Sequence, residues 1–307
     1  MRDTNSIVRL PILVLGYNRP GHLARQLQSL ASLHAERVWL SLDGPVDQSA
    51  AIARSDEVLD VARSFEFPEY HVRVAETNLG CGRAVAGGID WFFGSVEAGV
   101  ILEDDCLVHP SFHSFAHEMI ERYRNESAVG MVSAFNPAPW VGGSSWTFGA
   151  PFIWGWATWA DRWRHHSLQI GWDDRTARRT ARRNLGPFWP GLSRGFAAVS
   201  RGEVDTWDYQ WTYALAARGM VSAIPRVNMV NNVGIGASAT HTSDLDVAMP
   251  PPQSLEDRRL PMSVRFDRSH AKKAARAARL DRRHQVNQYV RAAGRRAARL
   301  ARSLRVR

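Results

Sequence analysis

Gly99-Val100-Ile101-Leu102-Glu103-Asp104-Asp105 is an apolar strand that runs straight into three consecutive carboxylates. Three like charges at this spacing repel one another unless a cation or a set of donors offsets the repulsion. Oxygen ligands suit Mg²⁺ or Mn²⁺, and a Mg²⁺ held by one or two carboxylates keeps its other positions for water and phosphate oxygens. On its own the triplet reads more readily as a solvated acidic turn at a strand end, so its surroundings decide.

Upstream, Pro11-Ile12-Leu13-Val14-Leu15 has buried-strand character and ends in Gly16-Tyr17-Asn18-Arg19-Pro20. Leu23, Leu27, Leu30 and Leu33 then fall on one helical face. The pattern repeats. Val38 to Leu42 ends in Asp43-Gly44-Pro45 before a second helical pattern with Ile52, Val58, Leu59 and Phe65. His71 to Ala75 leads to Asn78-Leu79-Gly80-Cys81-Gly82-Arg83, whose glycines permit tight backbone approach, and a helix is expected over Ala84 to Phe93. Strands alternating with helices imply an α/β fold with a mainly parallel sheet flanked by helices, where ligands gather at the carboxyl ends of the strands. All four polar loops fall at that edge.

With these residues the chain resembles the nucleotide-sugar-dependent glycosyltransferases of the GT-A (Rossmann-like) fold, in particular bacterial family 2-like proteins related to N-acetylglucosaminyltransferase I. The stretches that carry the resemblance are LGYNRPGHL, SLDGP, NLGCGRAVAGGIDWFF, GVILEDDCLVHPSF, IWGWATW, WDYQW and NVGIGASATHT, spread over about residues 10 to 245. The resemblance implies that Tyr17, Asn18, Arg19 and Asp43 hold the nucleoside. It implies that Asn78, Gly80 and Arg83 orient the sugar-diphosphate, and that the acidic triplet is a DxD-like motif. Asp105 is then the expected ligand of Mn²⁺ or Mg²⁺, with Asp104 near the ribose or the metal's waters and Glu103 behind them. His241 is a second expected metal or diphosphate ligand, although a satisfied loop histidine fits the same residue. Asp208, in Trp207-Asp208-Tyr209-Gln210-Trp211, matches the family's catalytic base, with Asp205 in reserve.

Composition agrees with a folded enzyme. A chain of 307 residues with 45% hydrophobic content can bury one large core or two modest ones. No run approaches the roughly 20 apolar residues that span a bilayer. The amino terminus lacks a convincing cleavage signal, so a cytoplasmic protein is expected. Cys81 and Cys106 read as reduced packing residues.

Charge is uneven. Residues 265–307 hold fifteen Lys or Arg against two Asp, which leaves −4 for residues 1–264 out of the total of +9. Val286, Val290, Ala293, Ala297, Leu300 and Leu304 form a weak apolar stripe there. The expected organisation is a transferase domain over residues 1–264, with the nucleotide-sugar half at about 1–135 and the acceptor half at about 136–264, followed by a basic helical tail over 265–307. A solvated extension, peripheral contact with the anionic inner face of the membrane and nucleic-acid binding compete for the tail, the last least favoured.

Ten of twelve tryptophans lie between Trp140 and Trp211. Most are expected to pack a core, with Trp156 and Trp207 set aside as faces on which an acceptor sugar could stack. The sum is an expected metal-dependent transfer, inverting as the resemblance alone implies, from a nucleoside-diphosphate sugar, UDP-sugar first, to a hydroxyl of a glycan, lipid-linked or small-molecule acceptor. A sugar-phosphate nucleotidyltransferase is the rival enzyme, and a non-catalytic RNA- or membrane-binding protein on a retired transferase fold is the rival of another class.

Overall fold

The computed structural model describes residues 10–234, 249–256, 258–261 and 263–278. The first four strands and their helices stand where the hydrophobic runs place them: β1 (Ile12–Gly16), α1 (Pro20–Ser32), β2 (Arg37–Leu42), α2 (Ser49–Arg63), β3 (Glu69–Val74), α3 (Cys81–Phe93) and β4 (Ala98–Glu103). In α1, Pro20 sits in the first turn, where its missing N–H costs nothing, and Leu23, Leu27 and Leu30 are buried one turn apart.

After β4 come β5 (Cys106–Val108), α4 (Ser111–Arg122), β6 (Val129–Ser133), β7 (Trp146–Gly149), β8 (Trp156–Trp159) and α5 (Ala160–Trp163). The chain continues through α6 (Arg175–Leu185), α7 (Trp189–Ser200), α8 (Asp208–Ala217), β9 (Val221–Pro225), β10 (Val230–Asn232) and α9 (Arg268–Ala277).

The main sheet runs β3-β2-β1-β4-β8-β6-β9-β7, and β10 pairs with β5 in a separate ribbon. β1 is parallel to β2 and β4, β2 to β3, and β6 to β9, whereas β8 and β7 run antiparallel to their neighbours. This is a Rossmann-like α/β architecture with a largely parallel sheet, as the alternating pattern predicts. Successive strand residues serve opposite layers. Ile12, Val14, Val38, Leu40, Val100 and Leu102 join the core on which α1, α2 and α4 pack. Leu13, Leu15, Trp39 and Ile101 join that of α3, α5 and α8. Chain order leaves β1 toward β2 and β3, then returns on the other side to β4, so the β1–β4 boundary is the switch point at which such sheets open a crevice.

Two expectations are corrected. Trp156 lies in the central strand β8 and Trp207 caps the start of α8; they are 1% and 3% exposed and stack on each other at 5.7 Å. With Trp163 and Trp211 they are core, because β8 is sandwiched between β4 and β6 and all four of its residues are buried. Part of the expected tail is also folded onto the domain. Asp267 caps α9 by accepting from the Ser269 and His270 N–H groups, and Ala271, Ala274 and Ala275 bury in the cluster that holds Phe188 and Phe196. The apolar stripe from Val286 to Leu304 and His241 lie outside the described residues. No described helix is long and apolar enough to cross a membrane.

Candidate active site

A cleft of about 540 Å³ opens at the carboxyl ends of β1, β2 and β4, within the usual range for a small-molecule site. Sheet register brings its walls together. Leu15 pairs with Glu103 and Gly16 with Leu42, while Asp104 N–H donates to Leu15 O at 2.9 Å and Asp43 N–H to Gly16 O at 3.1 Å. Of the expected nucleotide-binding residues, Tyr17, Asn18, Arg19, Asp43, Asn78, Gly80 and Asp104 line this cleft. Arg83 does not. Cys81, Ala84 and Val85 face the cleft at helical spacing, which turns the exposed Arg83 off that face.

Asp43 is buried and organises the Asn78 loop. Its carboxylate accepts from Gly44 N–H at 2.9 Å, Leu79 N–H at 2.8 Å and the Asn78 amide at 3.0 Å. Burial pushes its pKa up in spite of these donors.

The floor is an acidic cluster with a guanidinium in it. Arg19 donates to both Asp104 oxygens, one of them at 3.3 Å from Nε, and to Asp105 Oδ2 at 2.8 Å. The cation that the triplet demands is thus supplied from the β1 loop. Burial works against the charge of Arg19, but Asp104 and Asp105 more than offset it and hold its pKa up. Asp104 is pushed up to about 7 by burial, limited by Arg19. Glu103 is pushed up to about 8, by burial first and then by the charges of Asp105, Asp104 and Asp208. Gly234 closes the cluster from the turn after β10, since a Cβ there would stand 2.1 Å from Asp105 Oδ2.

Asp105 is buried behind the wall and does not line the cleft. No group of three or more His, Cys, Asp or Glu side chains among the described residues could hold a metal. The donor chemistry of Asp104 and Asp105 fits a hard cation such as Mg²⁺ or Mn²⁺, but only if Arg19 yields oxygens that it now occupies.

The opposite rim consists of Glu203, Val204 and Asp205, from the segment joining α7 to α8. Asp205 Oδ1 accepts from Gly82 N–H at 3.0 Å, capping the amino end of α3. Gly80 makes the approach possible: it has φ +80, and a Cβ on it would lie 2.4 Å from Asp205 Oδ2. Sequence reading missed Glu203 and Val204, which no motif marks. It also placed Glu103 behind the site, whereas Glu103 lines the cleft.

Asp208 begins α8 and accepts from Thr206 Oγ1. It is not a cleft-lining residue, but its charge acts on Glu103 and Cys81, which are. The Cys81 thiol is raised to about 12 by burial and the surrounding carboxylates, and Cys106 is raised as well, so both are protonated thiols rather than nucleophiles.

Comparison with known proteins adds little. No protein-family profile matches the chain, and no curated protein does. Among solved structures, HddC from Yersinia pseudotuberculosis complexed with GMP-PN is 10% identical with a TM-score of 0.33, over 50% of this chain and 77% of that one. Mannose-1-phosphate geranyltransferase from Thermus thermophilus is 14% identical with a TM-score of 0.37, over 72% of this chain and 74% of that one. Overlap this weak carries no argument about reaction or ligand.

Proposed function

We propose that the protein is a GT-A glycosyltransferase that moves a sugar from a nucleoside-diphosphate sugar, UDP-sugar first, to an acceptor hydroxyl. The observation that carries this reading is the placement of Arg19 and Asp104, with Asp105 buried behind them, at the floor of a nucleotide-sized cleft at the β1–β4 switch point.

In this reading the bay formed by Tyr17, Asn18, Asp43 and Asn78 takes the nucleoside. The diphosphate lies against Arg19, whose guanidinium meets developing negative charge. The acceptor oxygen attacks the anomeric carbon, the bond to the diphosphate oxygen breaks with inversion, and the acceptor proton passes to a carboxylate. Asp208, the residue that the resemblance implies, is the proposed base, with the cleft-lining Asp205 in reserve; the charge of Asp208 already acts on Glu103 in the cleft. Bound Mn²⁺ or Mg²⁺ would add charge neutralisation at the leaving diphosphate, held by Asp105 with Asp104.

The second reading is a sugar-phosphate nucleotidyltransferase, which calls for a glycine-rich basic phosphate loop after the first strand; the loop after β1 supplies one arginine, Arg19, beside the carboxylates and lacks that form. A donor screen separates the two. Glycosyl transfer releases nucleoside diphosphate from one sugar nucleotide, slowly even without an acceptor. A nucleotidyltransferase releases pyrophosphate from a nucleoside triphosphate and a sugar 1-phosphate. Pyrophosphate release without nucleoside-diphosphate release would overturn the first reading.

A further inference from the structure

Away from the cleft, α6 and α9 meet at a groove of about 440 Å³ lined by Arg179, Arg182, Arg183, Gly186, Trp189, Pro190 and Arg268. The two helices carry Arg175, Arg178, Arg179, Arg182 and Arg183 on one side and Arg268, Lys272, Lys273 and Arg276 on the other, with no acidic residue in either. Arg179, Arg182, Arg183 and Arg268 are exposed and have no carboxylate partner among the described residues. Nearby acids are otherwise engaged or remote: Asp267 is taken up by Thr147 and the α9 amides, and Asp173 and Asp174 lie at the far end of α6. Four arginines lining one groove raise the local positive potential and attract anions, the more so at low salt. Charge alone would describe a solvated face, but this one also has an aromatic floor. Trp189 is half-buried, stacked on Trp172 at 6.0 Å, and has Pro190 beside it.

We infer that this face docks on the surface of an anionic phospholipid bilayer, with the groove receiving a headgroup phosphate between Arg182, Arg183 and Arg268 and Trp189 at the level of the headgroups. Guanidiniums bind phosphate through paired N–H donors, and indole rings favour the bilayer interface. The extent of the face, two whole helices, suits a flat charged surface better than one small anion. The twelve residues of α7, about 18 Å of helix, link the groove to the segment that rims the cleft. The inference does not depend on the reaction proposed above.

Vesicle co-sedimentation of the full chain tests it, with phosphatidylcholine vesicles with and without phosphatidylglycerol, at low and physiological salt. The wild type is expected to sediment only with the anionic vesicles. Each basic residue near such a surface contributes about 1 kcal/mol. Arg182→Glu combined with Arg268→Glu should therefore weaken vesicle affinity at least about tenfold. Arg182→Gln with Arg268→Gln should weaken it less, and Arg25→Glu with Arg54→Glu, on α1 and α2, should change it little. No binding by the wild type, no change in the groove variants, or an equal loss in the control pair would overturn the inference. So would groove-dependent binding of RNA with vesicle binding unaffected.

Discussion

Arg19 donates through Nε and both terminal nitrogens to Asp104 at the floor of the cleft and to Asp105 behind it, and it is only a quarter exposed. Its removal leaves two desolvated carboxylates without their cation. Arg19→Ala should lower stability by roughly 2 kcal/mol at pH 7. The loss should shrink at pH 5: a carboxyl raised by burial binds a proton more tightly folded than unfolded, so falling pH relieves the strain. Denaturant titration at both pH values checks this. Gly234→Ala should displace Asp105 and Arg19 and weaken nucleotide binding at least about tenfold, while Gly171→Ala, which has open space around it, should be neutral. A comparison of the two by calorimetry decides. Asp208→Asn keeps the shape but cannot take a proton, so kcat should fall by about 10² with donor affinity retained. Turnover close to wild type would move the base elsewhere.

α4 buries Phe112, His113, Phe115, Ala116, Met119 and Ile120 on the sheet, and neither ring nitrogen of His113 finds a partner among the described residues. Burial lowers its pKa to about 4, and that of His270 in α9 likewise. Unfolded, these rings take a proton near 6.5, so stability rises with pH between about 4 and 6.5 and is lost as pH falls through that window. His113→Leu should remove up to about 3 kcal/mol of this dependence, read as a shallower acid limb in thermal melts between pH 6.5 and 4. At this scale β1, β2, β4, α1 and α3 were legible because each carries an apolar run or face, while the polar edge strand β3 was marked by the alternation of strand and helix around it. The antiparallel β8 was not, since four buried residues with three aromatic or small neighbours have the same composition as a sugar-stacking motif. α9 was hidden in a basic tail, because its inner face is made of alanine, which hardly marks a hydrophobic stripe.

Across the whole molecule the cleft joins distant parts of the chain: the ends of β1, β2 and β4, the start of α3, and residues 203–205 beyond α7. The strand-end residues could be read from the sequence because the parallel sheet gathers its loops at one edge. The far rim could not, because nothing local to Glu203 or Val204 announces that the segment folds back over α3. The basic pI comes from the residues beyond α9: residues 1–264 carry −4, and the stretch 265–278 that contains α9 carries +4, so the charge of residues 1–278 balances while α6 and α9 gather a basic face. In this account the switch-point cleft binds a nucleoside diphosphate. Calorimetric titration of UDP, with and without Mn²⁺, into the wild type and into Ala84→Trp, which fills the cleft from α3, tests that binding. Saturable binding to the wild type that Ala84→Trp abolishes without loss of fold is expected; equal affinity of the two proteins, or no binding by the wild type in either condition, would contradict it.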